Sequence, residues 1–388
     1  MRTVFRFGRK TTLRSTKRFT SLRLLKYFLA CGAFVSLLLE FIIAQHLEHK
    51  KILAAADIRG TSHRDLEAIE FLRRLPRDVL LVEPFHGLGN RLRAVACAAA
   101  LAEKSKRTLV IVWIPDHHIN SSMSALFDVR NLTVIEYHVS HLLTHVWPDI
   151  QTYDYNAHGR KDEVLLDTIP GPLYVRSAYV LQSKTRVSEP EISAQLRNLM
   201  PANKVMQYFQ VLESFLKQNI FVIGVHIRMN TDIEKDVPGI SELPDRDPAG
   251  ILNMGPVVRQ RSRCHYEFFV PHMDAALRKH PHAVFFISSD SYEAISAMRA
   301  IYGDRVISNT VDAFEQCDGK FRRWETCVQI CLAELLFLGT KTSELIISDW
   351  SSASELVVRF SARKTLHKSG CVTNRVSWFV WMYRKGDP

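Results

Sequence analysis

A chain of 388 residues with 47% apolar and 23% charged side chains has room for two ordinary domains, and its 15 prolines and 16 glycines exclude a low-complexity chain. The formal charge of +11 suggests a nucleic-acid partner, yet nine basic residues and no acidic one fall in the first 26 positions. The remainder is nearly neutral, so the basicity belongs to a tail and no nucleic acid is expected as a partner.

That tail (1–26) precedes YFLACGAFVSLLLEFIIAQH at 27–46, where Glu40 is the one carboxylate. About 20 such residues at 1.5 Å each cross a bilayer, and a charged Glu40 costs about 2–3 kcal/mol against the apolar run. A basic flank before the span predicts a signal anchor of type II topology, with the rest of the chain in the lumen of the Golgi or endoplasmic reticulum. The same Arg-rich, hydroxyl-rich, acid-free tail also fits a transit peptide for a mitochondrion or another organelle. Asn120-Ser121-Ser122 and Asn131-Leu132-Thr133 are sequons that a lumenal chain can carry.

Residues 47–77 read as a stem, with a helix from Asp65 to Leu75 on a Leu66, Ile69, Phe71 and Leu72 stripe. From Asp78 to Trp113 the pattern is strand (Val79–Val82), helix (Arg91–Lys104) and strand (Thr108–Trp113), the size of a βαβ unit. The loop Phe85-His86-Gly87-Leu88-Gly89-Asn90 lies where strand hands over to helix. Its glycines let backbone N–H groups approach an anion, or simply make a tight turn. Strands follow at 132–137 and 173–180, and the stretch 138–170 between them reads as loop, with His141, His145, Trp147, Tyr153 and Tyr155 covering the sheet.

A helix over 200–217 leads to a second alternating series. It has strands at 221–225, 283–288, 305–307 and 344–348, and helices at 291–302, 322–338 and 351–360. Alternation of this kind predicts an α/β fold of two doubly wound domains, at 78–200 and 201–388, with ligands beyond the carboxyl ends of the strands. Of seven cysteines, Cys97 is expected buried and unpaired, and Cys327 and Cys331 lie four apart on one helix, where no bridge forms between them.

Three strand ends carry polar side chains. His226 and Arg228, two residues apart, fall on one side of a strand, and a guanidinium there can hold a diphosphate or serve an ion pair. Asp290, after Phe286-Ile287-Ser288-Ser289, can bind a base or ribose or cap a helix. Asp349 with Ser351, Ser352 and Ser354 makes an anion site or an ordinary N-cap with Glu355 near N3. Asp245-Arg246-Asp247 is a D-x-D in a Pro-flanked stretch, so it reads as loop, and no metal is expected.

HGLGNRLR (86–93), HIRMNTD (226–232), FFISSDS (285–291) and LIISDWSSASELVVRF (345–360) together resemble the shared motifs of the fucosyltransferase superfamily. That group includes the nodulation, α1,6- and protein O-fucosyltransferases. The resemblance implies a GT-B fold of two Rossmann-like domains, GDP-fucose as donor, and an inverting transfer to a glycan or protein hydroxyl. By the same resemblance Arg228 binds the β-phosphate, His226 sits beside the nucleotide, and Ser351, Ser352 and Ser354 hold the diphosphate. His86, Gly87, Gly89, Asn90 and Arg91 face the sugar from the other domain, and Asp290 and Asp349 complete the donor site. Met229 departs from the pattern, since many relatives carry a second basic residue there. Four carboxylates, Asp232, Glu234, Asp236 and Glu83, are candidates for the base. A catalytically silent relative that binds a glycan or protein partner, or a transferase for another nucleotide sugar, fits the same residues.

Overall fold

The computed structural model describes residues 63–157, 163–216, 220–229, 264–309, 317, 323–349, 351–361, 366–369 and 371. The 27–46 span, Asp232, Glu234, Asp236 and the 245–247 D-x-D lie outside the described residues. By its contacts the chain divides into Met1–Leu66 and Glu67–Pro388. Of the first unit only 63–66 are described, as the opening of helix α1 (His63–Arg73). In the second unit Ala68, Ile69 and Leu72 of α1 are buried, whereas Phe71 of the predicted stripe is exposed. No described helix is long and apolar enough to cross a membrane.

Strand β1 (Val79–Pro84) is buried along its whole length and feeds helix α2 (Leu88–Ser105), which begins three residues earlier than its apolar spacing predicts. Lys106, left-handed at φ 57°, ends the helix by donating its N–H to Ala102 and Glu103. Strand β2 (Thr108–Val112) then pairs parallel with β1, Val79 opposite Thr108. The chain continues through helix α3 (Met123–Leu126), strand β3 (Val134–Ile135), helix α4 (Leu143–Val146) and strand β4 (Gln151–Asp154). Strands β5 (Val164–Leu165), β6 (Leu173–Ser177) and β7 (Gln182–Ser183) follow. The first sheet runs β3-β2-β1-β6-β4, all parallel. The stretch expected to be loop thus holds an outer strand. β4 has one neighbour and needs no apolar run, while Trp147, Tyr153 and Tyr155 cover the sheet and are buried.

Helix α5 (Glu189–Asn198) has a Ser188/Glu191 capping box and a proline in its first turn, signals not read from the sequence. Helix α6 (Asn203–Ser214) leads to β8 (Val222–Ile227), and then come α7 (Val270–Lys279), β9 (Val284–Ser289), α8 (Tyr292–Tyr302) and β10 (Val306–Ile307). The described chain ends with α9 (Glu325–Lys341), β11 (Glu344–Ile347), α10 (Ser352–Phe360) and β12 (Leu366–Ser369). The second sheet runs β10-β9-β8-β11-β12, again all parallel. In each sheet the first strand is central and the chain returns to its other side, which creates crevices at β1/β6 and β8/β11. Disulfides join Cys264 to Cys371 and Cys317 to Cys327; Cys97 is buried and unpaired, and Cys327 and Cys331 are not bridged.

Both sheets lie in one compact unit, and a buried ion cluster joins them. Arg93 of α2 pairs with Glu355 of α10 at 2.6 Å, and the other Glu355 oxygen accepts from Arg359 at 2.8 Å. Arg359 also pairs with Glu189 of α5 at 2.7 Å. Glu355 therefore does not serve as a capping-box acid; it neutralises two guanidiniums. Removing one partner of a buried pair leaves an uncompensated charge, at about 3–5 kcal/mol. We expect Glu355→Gln to lower stability by about that amount in equilibrium urea unfolding, and an unchanged midpoint would show the cluster to be energetically idle.

Candidate functional site

The loop after β1 stands against the start of α10. His86 takes a left-handed backbone, φ 63°, and Gly87 caps α2. A Cβ on Gly89 would sit 2.5 Å from the carbonyl carbon and oxygen of Ser352 and 2.7 Å from its Oγ. The glycine is there because one helix start touches the backbone of the other. Asn90 Oδ1 accepts from Arg93 at 2.8 Å. Arg91 does not face the crevice as its sequence position suggests. It is 1% exposed, donates to the carbonyls of His86 (2.9 Å) and Ile114 (2.6 Å), pairs with Asp116 at 2.8 Å, and lies 5.0 Å over the Trp113 ring. Its work is to hold the loop in its left-handed turn.

At the end of β8, the Arg228 N–H donates to Ser348 Oγ at 2.8 Å, and its Nη1 pairs with Asp290 Oδ2 at 2.7 Å. Asp290 Oδ1 accepts the Met229 N–H at 2.9 Å. Asp290 is therefore neither helix cap nor free base ligand; Ser291 caps α8 in its place, accepting from Ala294. Among the described residues Asp290 is the one acid that Arg228 meets, and the Arg228 side chain keeps 19% of its surface open. Met229, where a second cation was expected, packs its side chain on the core of the second sheet.

His226 Nδ1 lies 2.7 Å from Ser354 Oγ, and burial pushes this imidazole down to about 4, so it is neutral at pH 7. Ser354 is fully buried and supports His226, which removes it from the set that reaches a diphosphate. Ser351 is the N-cap of α10, accepting from the Ser354 N–H at 3.3 Å. Asp349 is buried, and its N–H donates to Cys371 Sγ at 3.2 Å, so the Cys264–Cys371 bridge lies beneath this turn. Ser352, half-buried, is the turn's hydroxyl nearest the opposing loop.

Glu83 is 2% exposed, with Tyr174 donating to Oε2 at 2.5 Å and Arg176 to Oε1 at 3.1 Å. Both oxygens are occupied, so as a base it is closed to an acceptor hydroxyl. It holds Arg176 over the Phe85 ring. Two groups escaped the sequence reading. Glu334 of α9 accepts from Ser288 Oγ at 2.7 Å and from Asn309, and burial pushes its carboxyl up to about 7. His118 lies 3.5 Å from His86. The signal for Glu334 was an acid inside the otherwise apolar Leu332–Leu338 run; for His118 it was a histidine pair just past β2. Among the described residues no group of His, Cys, Asp or Glu is placed to hold a metal ion.

The arrangement can hold an anion against one oriented guanidinium and a helix start, with neutral imidazoles on both sides. No protein-family profile matches the chain, and no curated protein matches it. Among solved structures it is similar to fucosyltransferase NodZ from Bradyrhizobium (16% identity, TM-score 0.47, covering 74% of this chain and 93% of that one). NodZ soaked with GDP-fucose gives 16% identity and TM-score 0.46 over the same shares. POFUT1 in complex with GDP gives 14% identity and TM-score 0.45, covering 77% of this chain and 100% of that one. Superposition this loose carries no argument about activity.

Two outcomes follow from the geometry. Gly89→Ala forces backbone apart at the helix junction, and we expect a loss of about 1–3 kcal/mol, read as a lower Tm. Glu334 has its folded pKa raised above the unfolded value near 4.5. Its share of stability is complete below pH 4.5 and lost as pH rises through about 7. Glu334→Gln should match the parent at pH 4 and exceed it by up to about 3 kcal/mol at pH 8, checked by urea unfolding across that range.

Proposed function

We propose that this chain is an inverting glycosyltransferase of GT-B architecture that moves fucose from GDP-fucose to a hydroxyl of a glycan or protein. The observation that carries the reading is Arg228. Its backbone is fixed to Ser348 and its guanidinium is turned by Asp290, at the carboxyl end of the central strand and beside the β8/β11 crevice. Cleavage of the bond from the sugar's C1 to GDP leaves charge on the diphosphate and an oxocarbenium-like ring. A fixed cation at the departing oxygens stabilises that state more than the bound donor. The start of α10 at Ser351 and Ser352 adds N–H groups on the same side.

In this reading 201–388 binds the nucleotide and 78–200 presents the acceptor. Neutral His226 sits beside the nucleotide, and no metal is needed because Arg228 and the helix start supply the positive charge. The chain is anchored by 27–46 with its catalytic part in the lumen of the Golgi or endoplasmic reticulum. The two disulfides support an oxidising compartment over the cytosol.

Release of GDP from a panel of GDP-sugars by the detergent-solubilised full chain tests the reading, with and without EDTA. We expect GDP-fucose to be turned over best and EDTA to change nothing. Arg228→Ala should lower turnover by ~10²-fold or more and weaken GDP binding while the fold is retained. A chain that binds GDP but cleaves no GDP-sugar is a silent binder, and an Arg228→Ala variant with parental GDP affinity removes the cation from the site.

A further inference from the structure

Buried Arg91 and half-buried Asp116 form an ion pair that fixes two histidine-bearing loops. Arg91 Nε donates to the carbonyl of His86 at 2.9 Å and holds that residue at φ 63°, a conformation uncommon for a non-glycine residue. Asp116 Oδ1 accepts the N–H groups of His118 at 2.8 Å and Ile119 at 3.0 Å, which sets the loop after β2. The result is that His86 Nδ1 and His118 Nε2 lie 3.5 Å apart, rings 5.2 Å between centroids. A hydrogen bond at the long end of the range is usual for catalytic groups without substrate and shortens when the substrate is bound.

We infer that His86 is the general base that takes the proton of the acceptor hydroxyl, with His118 the positioning residue that fixes its tautomer. This rests on the transferase reading. Burial holds both imidazoles below their usual range, His118 at about 4. Around His86, Asp116 raises its pKa, and Arg91, His117 and Arg93 lower it; around His118, Asp116 raises, and His117, His86 and Arg323 lower. Neutral His118 keeps a lone pair on Nε2 for the Nδ1–H of His86, which leaves His86 Nε2 as the proton acceptor. In the step, the acceptor oxygen bonds to C1 and its proton passes to His86 Nε2. The bond from C1 to the diphosphate oxygen breaks and its electron pair stays on GDP. Glu83, the carboxylate nearest this loop in sequence, has both oxygens taken by Tyr174 and Arg176 and does not compete. The loop that carries His86 stands against Ser352 through Gly89, at the turn that follows β11, and Ser348 of that turn accepts the Arg228 N–H.

The experiment follows hydrolysis of GDP-fucose, with water as acceptor, and then adds azide, a nucleophile that carries no proton. His86→Gly is the chosen variant because glycine takes φ 63° without strain, so the loop persists. We expect the parent to lose turnover below an acid limb under pH 6.5, where His86 gains its proton. His86→Gly should lose ~10²-fold or more, lose that limb and retain GDP affinity, and azide should restore GDP release with fucosyl azide as product. His118→Phe should lower turnover less and move the limb to lower pH, since the imidazolium loses the acceptor for its Nδ1 proton. An unchanged limb in His86→Gly, or a GDP-competent variant that azide does not rescue, overturns the assignment. A parent that cleaves no GDP-sugar overturns the transferase reading, and this base with it.

Discussion

One buried carboxylate, Glu355, fixes how the two sheets face each other. Moving an ion out of water carries a penalty of several kcal/mol, so a buried charge persists only where the opposing charges are all in place. Glu355 meets Arg93 from the first sheet's helix and Arg359 from its own, and Arg359 reaches on to Glu189. Sliding α2 along α10 would separate these charges in a low-dielectric interior and close the gap at Gly89. The contact between helix starts and the ion cluster therefore select one register. That register brings the ends of β1 and β8 to the same opening.

Most of the charge near that opening is consumed internally. Arg91 is used up by two carbonyls and Asp116, Arg93 by Glu355, Asn90 and the carbonyl of Ala178, and Arg176 by Glu83 and Asp154. Among the described residues Arg228 differs from these three in the use of its guanidinium: Asp290 takes one end of its fork and no carbonyl or second side chain takes the rest. A guanidinium aimed by one carboxylate is pre-organised and still carries donors for an anion. The histidines point the same way: His226 and His118 are held neutral by burial, so neither adds charge that would compete with Arg228 for a diphosphate.

Strand and helix alternation was legible because buried parallel strands are continuous apolar runs. β1, β8, β9 and β11 fall within two residues of where those runs place them. β4 was not legible, since an edge strand of Gln151-Thr152-Tyr153-Asp154 buries one side chain and reads as loop. α5 was missed although Ser188, Pro190 and Glu191 announce its start, because its apolar face is only Ile192 and Leu196. The loop after β1 and the turn opening α10, both singled out in the sequence, meet at Gly89 and Ser352, but the contacts within them were not legible. Hydrogen-bond closure decides the roles there. Ser354 and Ser352 are chemically identical, yet one is sealed under His226 and the other lies half-buried against Gly89.

The spacing of paired basic side-chain types shows why some roles were readable. His226 and Arg228 are two apart on a strand, where a period of two puts both on one side. They reach Ser354 and Asp290 at the same end of the second sheet. Arg91 and Arg93 are also two apart, but on a helix, where two steps of 100° turn the side chains nearly opposite ways. One goes beneath the loop to Asp116 and the other across to Glu355. Reading Arg91 as the first helical residue placed it on the ligand side with the loop, whereas α2 already begins at Leu88. Three residues of helix boundary separate a ligand-binding arginine from one that clamps the turn carrying His86, and those three residues are set by Gly87 serving as the cap.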